Sequence, residues 1–108
     1  MMRATVFIFL GALTAQAAVD EVGFRKTVIP FLESYCLDCH DNETQEGKLS
    51  LEGIRPTMTE GALETWRLVQ EQLQFADMPP AKKKQPKPAE RAAVLAWIRG
   101  ELLKTQEP

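Results

Sequence analysis

The only two cysteines and the only histidine of the chain fall within five consecutive positions, Cys36-Leu37-Asp38-Cys39-His40. Two thiols three residues apart, followed at once by an imidazole, form the pattern used for covalent haem attachment. Each thiol can add to a vinyl group of the porphyrin, and the imidazole then sits beneath the iron as its proximal ligand. The same gap between cysteines serves a redox dithiol, a small disulfide or half of a zinc site. A structural zinc ion needs four protein ligands, and Cys36, Cys39 and His40 exhaust the cysteine and histidine of the chain. A redox dithiol opens a helix after a strand in a βαβ setting, which the sequence lacks. A disulfide between these two positions would close too small a loop to constrain the unfolded chain much. The haem reading leads, with one haem c per chain.

A second axial ligand is the next requirement, and Met78 is the candidate. Pro79 and Pro80 follow it directly, and each proline pushes its predecessor toward extended backbone, which stiffens the loop that aims the thioether. The alternative for Met78 is that it fills a gap in the core. Met58 competes as a ligand but stands between Thr57 and Thr59 with no proline beside it. With His40 and Met78 on opposite faces, iron keeps no open position for oxygen or substrate and passes single electrons. The neutral thioether also favours ferrous iron more than a second nitrogen donor would. This reading names no catalytic residue and makes the chain an electron carrier rather than an enzyme. The alternatives are a haem-based sensor or catalyst with an exchangeable sixth ligand, and a thiol–disulfide protein without haem. Trp66 and Arg55 are candidate partners of the haem propionates. Against these stand a buried core aromatic for Trp66 and a solvated side chain for Arg55.

The elements that must hold these groups read as helix, loop, helix, loop, helix, an all-α class. After Asp20, a candidate N-cap, Phe24, Val28, Phe31, Leu32 and Tyr35 share one helical face that leads into Cys36. Pro30 is expected to kink or split that helix. Residues 41–61 carry Asn42, Gly47, Gly53, Pro56 and Gly61 among short apolar groups, which predicts a loop wrapping the haem. Leu49, Leu51, Ile54, Trp66 and Leu73 are expected to bury the ring. Ala62, Trp66, Val69 and Leu73 form the stripe of a second helix. A loop over Phe75 to Lys87 precedes a last helix from Pro88, with Glu90 in its first turn. Leu95, Ile98 and Leu102, widened by Val94 and Trp97, form its buried face, with Arg91, Arg99 and Lys104 mostly outside. The expected fold is a small helical domain wrapped around one covalent haem, which reinforces a core otherwise small for independent folding.

Residues 1–17 read as a cleaved secretory signal: Arg3 supplies the positive end, Ala4 to Leu13 the apolar stretch, and Ala15-Gln16-Ala17 the cleavage pattern. The apolar run is too short to span a bilayer. The predicted product is the domain 18–108, exported to the periplasm or beyond, with no membrane span after cleavage. The chain carries 13 basic and 15 acidic side chains, a net charge of −2. That balance, with no aromatic-interleaved basic surface, argues against nucleic acid as a partner. Acidic groups dominate residues 33–77, and Lys82, Lys83, Lys84 and Lys87 follow at once. Those lysines are a candidate docking surface for an acidic redox partner protein. A solvated, proline-rich loop is the alternative.

Taken together, Cys36-Leu37-Asp38-Cys39-His40, then Gln45-Glu46-Gly47-Lys48-Leu49-Ser50-Leu51, Trp66, Asp77-Met78-Pro79-Pro80, and Glu90-Arg91 with Trp97-Ile98 resemble the planctomycete-type cytochrome c domain. The likeness spans nearly all of residues 18–108, and in broader outline the chain is similar to class I c cytochromes. The resemblance implies a first helix packed across the last, bringing Gly23 and Phe24 against Val94 and Trp97. In that family the domain is often joined to large additional domains. The work implied is therefore that of a lone carrier or of the cytochrome part of a periplasmic redox complex.

Overall fold

The computed structural model describes residues 4–5 and 18–105. The cleavage motif Ala15-Gln16-Ala17 and most of the expected leader lie outside the described residues, and so do residues 106–108. The described residues are helical with irregular connections and contain no strand, in agreement with the all-α expectation.

The first helix, α1, is continuous in three parts: an α-helical turn Glu21–Gly23, a π-helical segment Phe24–Val28 and an α-helical segment Ile29–Tyr35. Asp20 caps it, its carboxylate accepting the Gly23 N–H at 2.9 Å. Pro30 neither breaks nor ends the helix. Its ring would clash with the carbonyl four residues back, and the wider π-helical segment, in which Ile29 N–H reaches Phe24 O, lies over that turn. A short turn, α2, follows at Leu37–His40. The connection 41–59 holds one 3-10 turn at Glu46–Lys48. Helix α3 spans Glu60–Gln74 and so takes in Gly61, which the sequence pattern leaves in the loop, while α4 spans Pro88–Lys104 and starts at the expected proline.

The core closes where α1, α3 and α4 meet. Phe24 meets Trp66 edge-on at 6.1 Å, and Trp97 lies 5.5 Å from Phe24 and 5.1 Å from Trp66, ring centre to ring centre. Such aromatic pairs add about 0.5–1.5 kcal/mol each beyond the area they bury. Val28, Trp66, Val94 and Ile98 are fully enclosed. Gly23 permits this approach, because a Cβ there would meet Asp20 and would stand 3.0 Å from the Trp97 ring.

The buried face of α4 is rotated from the expected one. Val94, Trp97, Ile98, Glu101 and Leu102 are buried, while Leu95 is only half-buried. Glu101 is the buried acid that hydrophobic periodicity passed over. Its carboxylate accepts the Asp20 N–H at 3.1 Å and pairs with Lys104. Lys104 Nζ also donates to Ala18 O at 2.8 Å, and the Trp97 indole donates to Asp20 O at 2.9 Å. The start of the described fold is thereby tied to its last helix.

Candidate functional site

Cys36, Cys39 and His40 come together through the helical turn itself. Cys36 ends α1 with φ −121° and ψ −42°, and its carbonyl then accepts the N–H groups of Cys39 and His40. Positions i, i+3 and i+4 of such a turn share a face. All three residues line one cleft of about 240 Å³, which Tyr35, Leu73, Met78 and Pro79 also line. The four residues singled out as the haem anchor and axial ligands are therefore brought to one place, although Met78 is far from the others in sequence. Met58, the competing ligand, packs against the hydrophobic core instead.

His40 is held in a defined orientation. Its Nδ1 lies 3.2 Å from Leu49 O, and because a carbonyl only accepts, the contact is made by Nδ1–H, so that in the neutral ring Nε2 is the nitrogen with the lone pair. Gln45, Gly47 and Lys48 make this possible by taking left-handed backbone, with φ of 40°, 63° and 62°. The chain turns back on itself there, and Leu51 N–H closes the loop onto His40 O at 2.6 Å. Asp41 steadies the start of the same loop by accepting N–H bonds from Thr44 at 2.7 Å and Glu43 at 3.1 Å. Those bonds, that from Thr44 foremost, hold its carboxyl below the usual range.

The two sulfurs are free thiols. Burial pushes the Cys36 thiol up to about 11, against an opposing influence of the Arg91 charge. A thiol so reluctant to ionise makes Cys36 a poor nucleophile at neutral pH. Among the described residues no three His, Cys, Asp or Glu side chains converge as a metal cage, so Cys36, Cys39 and His40 do not close on a common point as zinc ligands do.

The Met78 loop is fastened by polar side chains. Arg91 Nη1 donates to Met78 O at 3.0 Å and to Leu73 O at 3.3 Å. The Gln85 amide lies 2.9–3.2 Å from the carbonyl oxygens of Pro79, Pro80 and Lys83. Pro79 is buried, whereas Met78 remains 37% exposed. Arg91 was expected on the solvent side of α4. Its guanidinium instead turns toward the 73–78 segment, since helix polarity patterns do not register a cation that bonds main-chain carbonyls.

Other expectations are corrected. Trp66 is wholly buried in the core, and its indole N–H, its one donor, is given to Arg55 O at 3.0 Å. It is the core aromatic of the alternative reading, and neither Trp66 nor Arg55 lines the cleft. The Arg55 side chain is exposed. Of the five residues expected to bury the ring, only Leu73 lines the cleft. Leu51 joins the buried core, and Leu49 and Ile54 pack against it.

The lysine cluster divides. Lys82, Lys83, Lys84 and Lys87 are all exposed, and Lys83 and Lys84 line the cleft. Lys84 Nζ stands 5.6 Å from the centre of the Tyr35 ring, within cation–π range. Tyr35 in turn donates to Glu90 at 2.9 Å, and the same Glu90 oxygen accepts Lys87 N–H at 2.9 Å, the first-turn role expected of it.

Among the described residues no helix is long and apolar enough to cross a membrane. No family model, no curated protein and no solved structure matches the chain.

Proposed function

We propose that the chain is an exported single-electron carrier, with a c-type haem joined to Cys36 and Cys39 and with His40 and Met78 as axial ligands. It works alone or as the cytochrome part of a periplasmic redox complex. One observation carries the reading: both thiols, an imidazole with Nε2 available and a thioether line a single cleft.

The donor set fits the group. Nitrogen and thioether sulfur suit haem iron, and the two thiols sit one helical turn apart beside the imidazole. The cleft, at about 240 Å³, is smaller than the roughly 300–1,000 Å³ of pockets that enclose a whole small ligand. A large planar ligand seated there would leave an edge outside. When bound, haem supplies a one-electron ferric–ferrous couple.

The chain's own residues account for the rest. Leu49 O orients the imidazole and makes Nε2 a better donor to metal. Leu73 and Pro79 offer apolar surface. Lys83 and Lys84 border the cleft opposite in charge to Asp38 and Glu46, which also line it, and with Lys82 and Lys87 they offer an exposed basic stretch to an acidic partner.

The optical spectrum of exported protein tests this reading. Alkaline pyridine should give the bands of a haem with two thioether links, and the ferric protein a weak far-red sulfur-to-iron band. Replacing Met78 with Ala should abolish the far-red band. Its persistence would move the ligand to Met58.

A further inference from the structure

We infer that Arg91, assisted by Gln85, is the positioning residue for the Met78 ligand, and that the grip of its guanidinium on the Met78 carbonyl keeps the sixth coordination position closed. The inference rests on the haem reading above and adds to it a residue from a different helix.

The need for such a residue follows from the loop. Pro79 and Pro80 have no N–H, so the segment after Met78 presents more main-chain acceptors than donors. Its own backbone supplies the Lys83 N–H to Pro80 O at 2.9 Å. Other carbonyls within and on either side of the proline pair are met from side chains. Arg91 Nη1 serves Met78 O and Leu73 O together, which joins the end of α3 to the ligand loop at one cation. Gln85 shares two amide hydrogens among the carbonyls of Pro79, Pro80 and Lys83. Arg91 Nη2 lies 3.5 Å from Gln85 Oε1, linking the two clamps.

Arg91 sits in the first turn of α4, the helix whose buried face packs into the core. Its backbone is therefore rigid, and the guanidinium transmits that rigidity to residue 78. Met78 itself is 37% exposed, so core packing alone does not hold it. A thioether is a weak, neutral ligand, and its hold on iron depends on the loop being kept in place. Loss of the clamp should turn a closed carrier into a protein that admits outside ligands.

The test uses the holoprotein with imidazole as the probe. Arg91→Met should weaken the far-red sulfur-to-iron band and raise the affinity of ferric protein for imidazole about tenfold or more, as expected for the loss of hydrogen bonds from a charged donor. Arg91→Lys, which keeps one charged donor, should fall between Met and wild type. Gln85→Leu should shift imidazole affinity in the same direction by less, and it carries the test if Arg91→Met does not fold. Wild-type band intensity and imidazole affinity in folded Arg91→Met, or in Gln85→Leu where that variant stands in, would overturn the inference. Met78→Ala run in parallel separates the two claims. An open site in Met78→Ala with a closed one in Arg91→Met refutes only the positioning role. A Met78→Ala protein with wild-type affinity refutes the ligand assignment and the positioning role with it.

Discussion

The imidazole of His40 and the main-chain carbonyl of Leu49 meet at 3.2 Å, and this contact decides which ring nitrogen is left to act. The carbonyl arrives there because Gly47, at φ 63°, turns the chain left-handed between them.

Gly47→Val should therefore weaken the site without any steric clash, since no atom lies within 4 Å of a Cβ at that position. The left-handed backbone alone should cost about 1–2 kcal/mol. Denaturant midpoints of the variant and the wild type measure it, and Gly47→Asn, which tolerates this region, should lose much less. Equal midpoints for Val and Gly would contradict the argument.

Trp66→Ala should destabilise by about 3–5 kcal/mol, the range for emptying a large aromatic site in a core. Trp66→Phe should cost less, chiefly through the Arg55 carbonyl that loses its donor. If Trp66 served mainly the haem, Trp66→Phe would shift the reduction potential more than the melting temperature. The predicted pattern is the reverse.

Glu101→Leu should lower stability by about 1–3 kcal/mol, because the Asp20 N–H loses its buried acceptor. The same substitution should speed hydrogen exchange at the main chain of residues 18–21. A melting temperature at or above wild type would show that the Glu101–Asp20 bond contributes nothing to the clasp.

The Tyr35–Glu90 bond predicts stability that declines at both ends of the pH scale. Glu90 is held below the usual carboxylate range, first by the Lys87 N–H and then by the Tyr35 hydroxyl. Its contribution is present above the ordinary carboxylate pKa and is lost as pH falls through the depressed value. Tyr35 is raised, chiefly by its bond to Glu90, so its contribution is present below the ordinary phenol pKa and is lost as pH rises through the raised one. In Tyr35→Phe both dependences should be smaller when unfolding is followed across pH. Unchanged profiles would remove the pair from the account.

Neutralising Lys82, Lys83, Lys84 and Lys87 together should slow reduction by an acidic partner at low ionic strength and make little difference at high salt. Stopped-flow reduction across a salt series checks this. Rates that match wild type at every salt concentration would refute steering by these residues.

The helices were legible in the sequence because their evidence is periodic. The stripe Trp66, Val69 and Leu73 is buried as read, α4 begins at Pro88, and Asp20 caps α1. The joining of Cys36, Cys39 and His40 was legible from spacing, since a helical turn places them on one face. What escaped reading is carried by main-chain atoms and by polar groups acting over long separations. Leu49 contributes a carbonyl rather than a side chain. Arg91 and Glu101 look like solvent-facing charges in a polarity pattern, yet they answer acceptors and donors many residues away. A run of two prolines beside a candidate ligand was the available signal for Arg91, because it announces carbonyls in need of donors.

The central claim is that Cys36 and Cys39 carry a porphyrin permanently. Intact-mass measurement of the protein secreted by a host able to attach haem tests it most directly. The account predicts the mass of the polypeptide from Ala18 plus one haem, with the added mass lost in the double variant Cys36→Ser, Cys39→Ser. A wild-type protein at the bare polypeptide mass would contradict it.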